Sequence, residues 1–124
     1  MRVEPQLQDV AGQRLLKALR AVCNRLPEVE EVVDGFGHTT FKVSKKSFVI
    51  AGMGEGGTDV AIKADHATQS HLVRRGPYFR TPYVGQHGWV SVTDPLNQDW
   101  DEIADLIVEG YRHAAPKRLL KRLP

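Results

Sequence analysis

The sequence predicts an α+β domain in which a mainly antiparallel sheet of four to five strands packs against an N-terminal and a C-terminal helix. Three observations carry this. Leu15, Leu19, Val22 and Leu26 recur at helical spacing near the start of the chain. Trp100, Ile103, Ala104, Ile107, Val108 and Tyr111 do the same near its end. Between them, period-2 segments are joined by turns too short for a parallel crossover, so neighbouring strands must run antiparallel. At 124 residues the chain has the length of one domain, 1–124. It is long enough to bury roughly two-thirds of its unfolded surface without a disulfide or a metal.

The elements follow in order. Residues up to Gln8 carry no periodic pattern and are expected to fray. A helix is expected from Asp9 or Val10 to Leu26, with Leu16 and Cys23 widening its stripe, which assigns Cys23 to the core. Pro27 closes this helix. Glu28, Glu30, Glu31 and Asp34 then read as an acidic connection that Gly35 and Gly37 open into a loop. Phe41 and Val43 alternate with Thr40 and Lys42 in a first strand. Ser44-Lys45-Lys46 is a turn, Phe48 to Ala51 a return strand, Gly52 to Gly57 a second turn, and Thr58 to Lys63 a third strand. Asp65 is the N-cap of a short helix from His66 to about Arg74, stopped by Gly76-Pro77. Pro82, Gly85 and Gly88 make Tyr78 to Gly88 a loop with one extended piece, and Trp89 to Val92 is a strand. Asp99 and Glu102 form a capping-box pattern at the head of the strongest helix. Pro116 suits the first turn of a last short helix bearing Lys117, Arg118, Lys121 and Arg122. Phe41, Trp89 and Trp100 are expected to be largely buried.

Composition narrows the function classes. The chain is 41% hydrophobic and 26% charged, which argues against disorder. No apolar run approaches the roughly 18 residues of a membrane span. The polar stretch Met1 to Asp9 is unlike a signal peptide, and the single cysteine excludes an internal disulfide, so a cytoplasmic monomer is expected. The net charge is only +2, but it is segregated. Asp94, Asp99, Asp101, Glu102, Asp105 and Glu109 form an acidic run, and Arg112, Lys117, Arg118, Lys121 and Arg122 an acid-free one.

Several catalytic motifs are suggested and fail on context. Gly52-Met53-Gly54-Glu55-Gly56-Gly57 spells G-x-G-x-x-G, but a dinucleotide fingerprint needs a helix after the glycines and a strand follows here. Val60-Ala61-Ile62-Lys63 spells the lysine strand of a kinase, yet the gap from the glycines is too short. No H-R-D-like loop exists, and Asp34-Gly35-Phe36-Gly37 lies upstream of the glycines. The glycines are read as permitting a tight turn with positive φ. His38, His66, His71, His87 and His113 contain no i,i+4 pair and accompany no cysteine cluster, so no metal site is expected. No catalytic residue and no cofactor are assigned.

The stretch from Gly76 to Val92, with Gly88-Trp89-Val90 at its end, precedes the acidic helix and Ala115-Pro116-Lys117-Arg118-Leu119. Before it come Leu26-Pro27-Glu28-Val29-Glu30-Glu31, Thr40-Phe41-Lys42-Val43 and Val60-Ala61-Ile62-Lys63-Ala64-Asp65. In this order the segments resemble the YjbR/MmcQ family of small bacterial proteins, from about Leu15 to Leu123. The resemblance implies a compact α+β fold likened to a double-wing DNA-binding domain. Lys45 and Lys46 would then sit on a wing tip that lacks the family's frequent glycine. Arg74, Arg75 and Arg80 would flank the short helix, and Lys117, Arg118, Lys121 and Arg122 would line the last one. Such residues neutralise phosphates, and nothing here reads bases, so binding would be weak and without sequence preference. The alternative is a protein-interaction or small-ligand module. Tyr78, Phe79, Tyr83, His87 and Trp89 concentrate aromatic and imidazole groups that either wall a pocket or plug the core where no helix covers the sheet.

Overall fold

The structure, a computed structural model that describes residues 3–123, begins with helix α1 (Val10–Cys23). The Asp9 carboxylate caps it by accepting a hydrogen bond from the Gly12 N–H at 2.7 Å. Leu15, Leu16, Leu19 and Cys23 form its buried stripe. Strands β1 (Val29–Val33), β2 (Thr39–Val43), β3 (Lys46–Gly54) and β4 (Gly57–Ile62) follow, then α2 (His66–Arg75). Next come β5 (Phe79–Arg80), β6 (Val90–Thr93), α3 (Trp100–Ala114) and a one-turn α4 (Lys117–Leu120). The strands make one six-stranded sheet in the order β1-β2-β3-β4-β6-β5, antiparallel at every pairing.

Register divides the sheet into two faces. Phe41 is opposite Val49, Val49 opposite Ile62, and Ile62 opposite Val90. Ala51, Val60 and Val92 form the next row on the same side. All of them are buried, under α1 and α3. A residue away in register, Thr40, Ile50, Ala61 and Ser91 line up on the other face, because side chains alternate along a strand.

The sheet has six strands where four to five were expected, and four further expectations need correction. The acidic connection is strand β1. Its valines have β propensity, and an edge strand tolerates carboxylates because one side meets water; Glu31 also bonds Arg20 of α1 at 2.7 Å. The segment before α1 is anchored. Leu7 is fully buried, and the Gln6 side-chain amide donates to the Phe36 carbonyl and accepts from the Met53 N–H, both at 2.8 Å; Met1 and Arg2 lie outside the described residues. Gly52 to Gly54 belong to β3, so the turn contracts to Glu55-Gly56, and of the glycines there Gly57 alone has positive φ, +122°. Trp100 is half-buried, since it occupies the first turn of α3, whereas Phe41 and Trp89 are buried. The Ser44-Lys45 turn adopts left-handed backbone at both residues, φ +48° and +69°, the twist a tight hairpin requires.

Asp99 caps α3 by accepting from the Glu102 N–H at 3.1 Å. The Glu102 side chain, however, takes bidentate hydrogen bonds from Arg75 and one from the Tyr78 hydroxyl at 2.7 Å. The box is thus half-formed, and its carboxylate ties α3 to α2 and to the segment leading into β5.

Gly88 shows what the path into β6 demands. Its φ is +94°, and a Cβ there would run into the Ala64 carbonyl oxygen. Gly88→Ala is expected to cost about 1–2 kcal/mol from the left-handed backbone alone, with the carbonyl contact adding to it. A urea denaturation midpoint unchanged from wild type would refute this.

Candidate functional site

The basic residues fall into two groups. Val29 is paired with Val43, so Glu28 lies beside the Ser44-Lys45 turn. Arg118 donates to Glu28 at 3.0 and 3.2 Å, and Arg122 at 3.1 Å. The β2–β3 turn and α4 therefore share one end of the molecule. Lys45, Lys46, Lys117 and Lys121 are exposed there and join no ion pair among the described residues. The Arg118 hydrogen bond holds the Glu28 carboxyl below the usual carboxylate range, against a smaller opposing effect of burial. Arg74, Arg75 and Arg80 lie toward the opposite border, where β5 ends the sheet. At roughly 4.8 Å per strand the two borders are about 24 Å apart. Arg75 is held by Glu102 and stands 5.8 Å over the Tyr78 ring. The Arg80 side chain lies close against Gly85.

The aromatic loop also divides. Tyr78 and Trp89 are buried and fill the core, and burial first, then the Glu102 carboxylate, raises the Tyr78 phenol pKa. Phe79, Tyr83 and His87 are exposed. Of the five residues, Tyr83 is the one that lines the cavity on the open face of the sheet.

That cavity, of about 670 Å³, occupies the sheet face opposite the helices. Ile50, Ala61 and Ser91 are its floor. The β1–β2 turn closes one side with Phe36 and His38, and the loop Thr81 to Val84 closes the other. Phe36 and Tyr83 are the lips, 80% and 97% exposed. Tyr83 has φ +67°, an uncommon backbone for a bulky residue and one associated with functional positions. Two glycines of β3 leave the space. A Cβ on Gly52 would meet the Gln6 amide and the His38 ring, and a Cβ on Gly54 would collide with the Asp59 carboxylate.

Two acidic side chains frame this space differently. Asp34 is well served: Oδ1 accepts from the backbone N–H groups of Phe36 at 2.8 Å and His38 at 3.0 Å, and Oδ2 lies 3.1 Å from His38 Nδ1. Burial raises the Asp34 pKa, but these hydrogen bonds outweigh it and leave the group below the usual range. Asp59 is not served. Its Oδ1 is buried without a hydrogen-bond partner, and no ion pair among the described residues includes it. Sequence reasoning missed Gln6 and Asp59, read Gly52 as part of a turn, and considered His38 only as a metal ligand. They are scattered along the chain, and the one visible signal was the glycine spacing.

Other chemistry finds little support. Cys23 is buried, and burial first, then the Glu31 charge, pushes its thiol up to about 12, far from the reactive thiolate range. Among the described residues no group of three or more His, Cys, Asp or Glu could hold a metal ion. No helix there is long and apolar enough to cross a membrane.

The model of the YjbR family matches residues 24–113, well over half of the chain. The crystal structure of Deinococcus radiodurans protein DR2400, described with the family-model domain DUF419, is similar at a TM-score of 0.68. It covers 98% of this chain and 94% of its own at 22% identity, a likeness that speaks for the fold. No curated protein matches the chain. With six antiparallel strands backed by helices and a family model spanning β1 to α3, the chain belongs to the YjbR family.

Proposed function

We propose that this protein binds nucleic-acid backbone, DNA in the first instance, weakly and without sequence preference, through the β2–β3 turn and α4. The observation that carries the reading is that Arg118 and Arg122 converge on Glu28 beside the Ser44-Lys45 turn, while Lys45, Lys46, Lys117 and Lys121 at that end join no ion pair among the described residues. Arg74 and Arg80 at the far border would add contacts only to a long duplex, and Arg75 is already committed to Glu102. No group at this end is arranged to read base edges, so affinity would come from phosphate neutralisation and counterion release. A cytoplasmic monomer that carries out no catalysis fits this role.

The test is a salt titration on random-sequence duplex. The dissociation constant is expected in the non-specific range, about 10⁻⁴ to 10⁻⁶ M at physiological salt. Log affinity should fall against log salt by about 0.9 per phosphate neutralised. Lys45→Ala with Lys46→Ala should flatten that slope by about two units. Lys121→Ala with Arg122→Ala should flatten it by between about one and two, because Arg122 shares Glu28. Absence of binding at low salt, or a full slope in both double variants, would remove the nucleic-acid reading.

A further inference from the structure

We propose that the hollow on the open face of the sheet is a binding site for a small organic amine: a protonated ammonium on an aromatic or branched apolar body, ion-paired to Asp59. The cavity has the size of small-molecule sites, about 670 Å³. Ile50, Ala61 and Val84 make its lining apolar, which selects an apolar ligand body. Phe36 and Tyr83 stand exposed at its lips and offer two faces against which a ring can stack.

Asp59 selects the head group. A carboxylate brought into an apolar hollow is costly unless a counter-charge or donors meet it. Here one oxygen is buried with no partner, and no lysine or arginine lines the cavity. His38 turns its Nδ1 to Asp34, the carboxylate it already faces. Gly52 is paired with Asp59, and the Gln6 amide and the His38 ring lie over it beside the hollow. The hollow thus presents an unpartnered carboxylate oxygen and no lysine or arginine among its lining residues. That arrangement takes a donor-rich cation and disfavours anions. It also separates this site from the phosphate-binding end, since nucleic acid would be repelled from it.

The full chain is titrated by calorimetry with three probes that share a ring and differ in head group: 2-phenylethylamine, 2-phenylethanol and 3-phenylpropanoate. The amine is expected to bind at least about tenfold tighter than the alcohol, the scale of one charge-assisted hydrogen bond. The acid should bind least. Asp59→Asn should bring the amine to the level of the alcohol, and Lys45→Ala with Lys46→Ala should leave it unchanged. Amide chemical shifts of the wild-type chain, which do not depend on the variant folding, should move with the amine at Gly52, Asp59 and Ser91. The proposal is overturned if none of the probes binds, if the alcohol or acid matches the amine, if Asp59→Asn folds and keeps the preference, or if the shifts fall elsewhere.

Discussion

Tyr111→Ala is expected to lower the unfolding free energy by about 3–5 kcal/mol, the usual cost of deleting a fully buried aromatic side chain. Tyr111 heads the largest side chains with no solvent exposure. Its ring meets Phe48 edge-on, 5.5 Å between centroids at 84°, a geometry that contributes about 0.5–1.5 kcal/mol beyond buried area. Its hydroxyl donates to the Pro27 carbonyl at 2.7 Å, tying α3 to the segment that follows α1. The surroundings cannot close over the gap, because the α3 backbone already lies against the sheet at Gly110. A Cβ there would come within 2.8 Å of the Lys63 carbonyl oxygen. Tyr111→Phe separates the two contributions, since it keeps the ring and should cost about 1 kcal/mol for the lost hydrogen bond. Urea denaturation of both variants measures this. Equal losses would assign the stabilisation to the hydroxyl and refute the packing account.

Ile107→Ala should cost about 2–5 kcal/mol. Ile107 is fully buried in the middle of the α3 stripe, where the helix packs against β3 and α1. Val108, one position on, is only half-buried, so Val108→Ala should cost clearly less. The contrast checks the facing of the helix as well as its burial. A denaturation midpoint unchanged by Ile107→Ala would mean that another face of α3 is in the core.

The same helix shows what a single sequence makes legible. Its stripe repeats over four turns, so the order of the residues alone conveys both its period and its facing. Trp100, Ala104 and Val108 fit the period but stay half-buried, Trp100 in the first turn of the helix. Burial requires a neighbour at that height as well as the right angle around the axis. Strand β1 was missed for a different reason. Glu30 and Glu31 break the apolar alternation, and an edge strand needs only part of one face covered. Gln6 and Leu7 were missed because two residues carry no period. The hollow was hidden most completely. Its members come from five places in the chain, and the glycines that form it were credited to turn geometry. At Gly52 and Gly54 the reason is room for His38 and for the Asp59 carboxylate, a reason visible only once the strands are in register.

The two borders of the sheet have a consequence for how molecules of this protein meet. A free strand edge is a row of unpaired amides and carbonyls onto which another chain can add, and repeated addition polymerises a sheet. One border here, β5, is only Phe79–Arg80, too short to template a partner. The other, β1, is five residues long and exposes Val32 and Val33, which would invite addition. A second copy aligned on that strand antiparallel to itself would bring Glu30 and Glu31 of one molecule toward Glu30 and Glu31 of the other, and like charges across a pairing are destabilising. The carboxylates that disguise β1 as a connection would thus oppose lateral growth, Glu30 more than Glu31, whose charge Arg20 already meets.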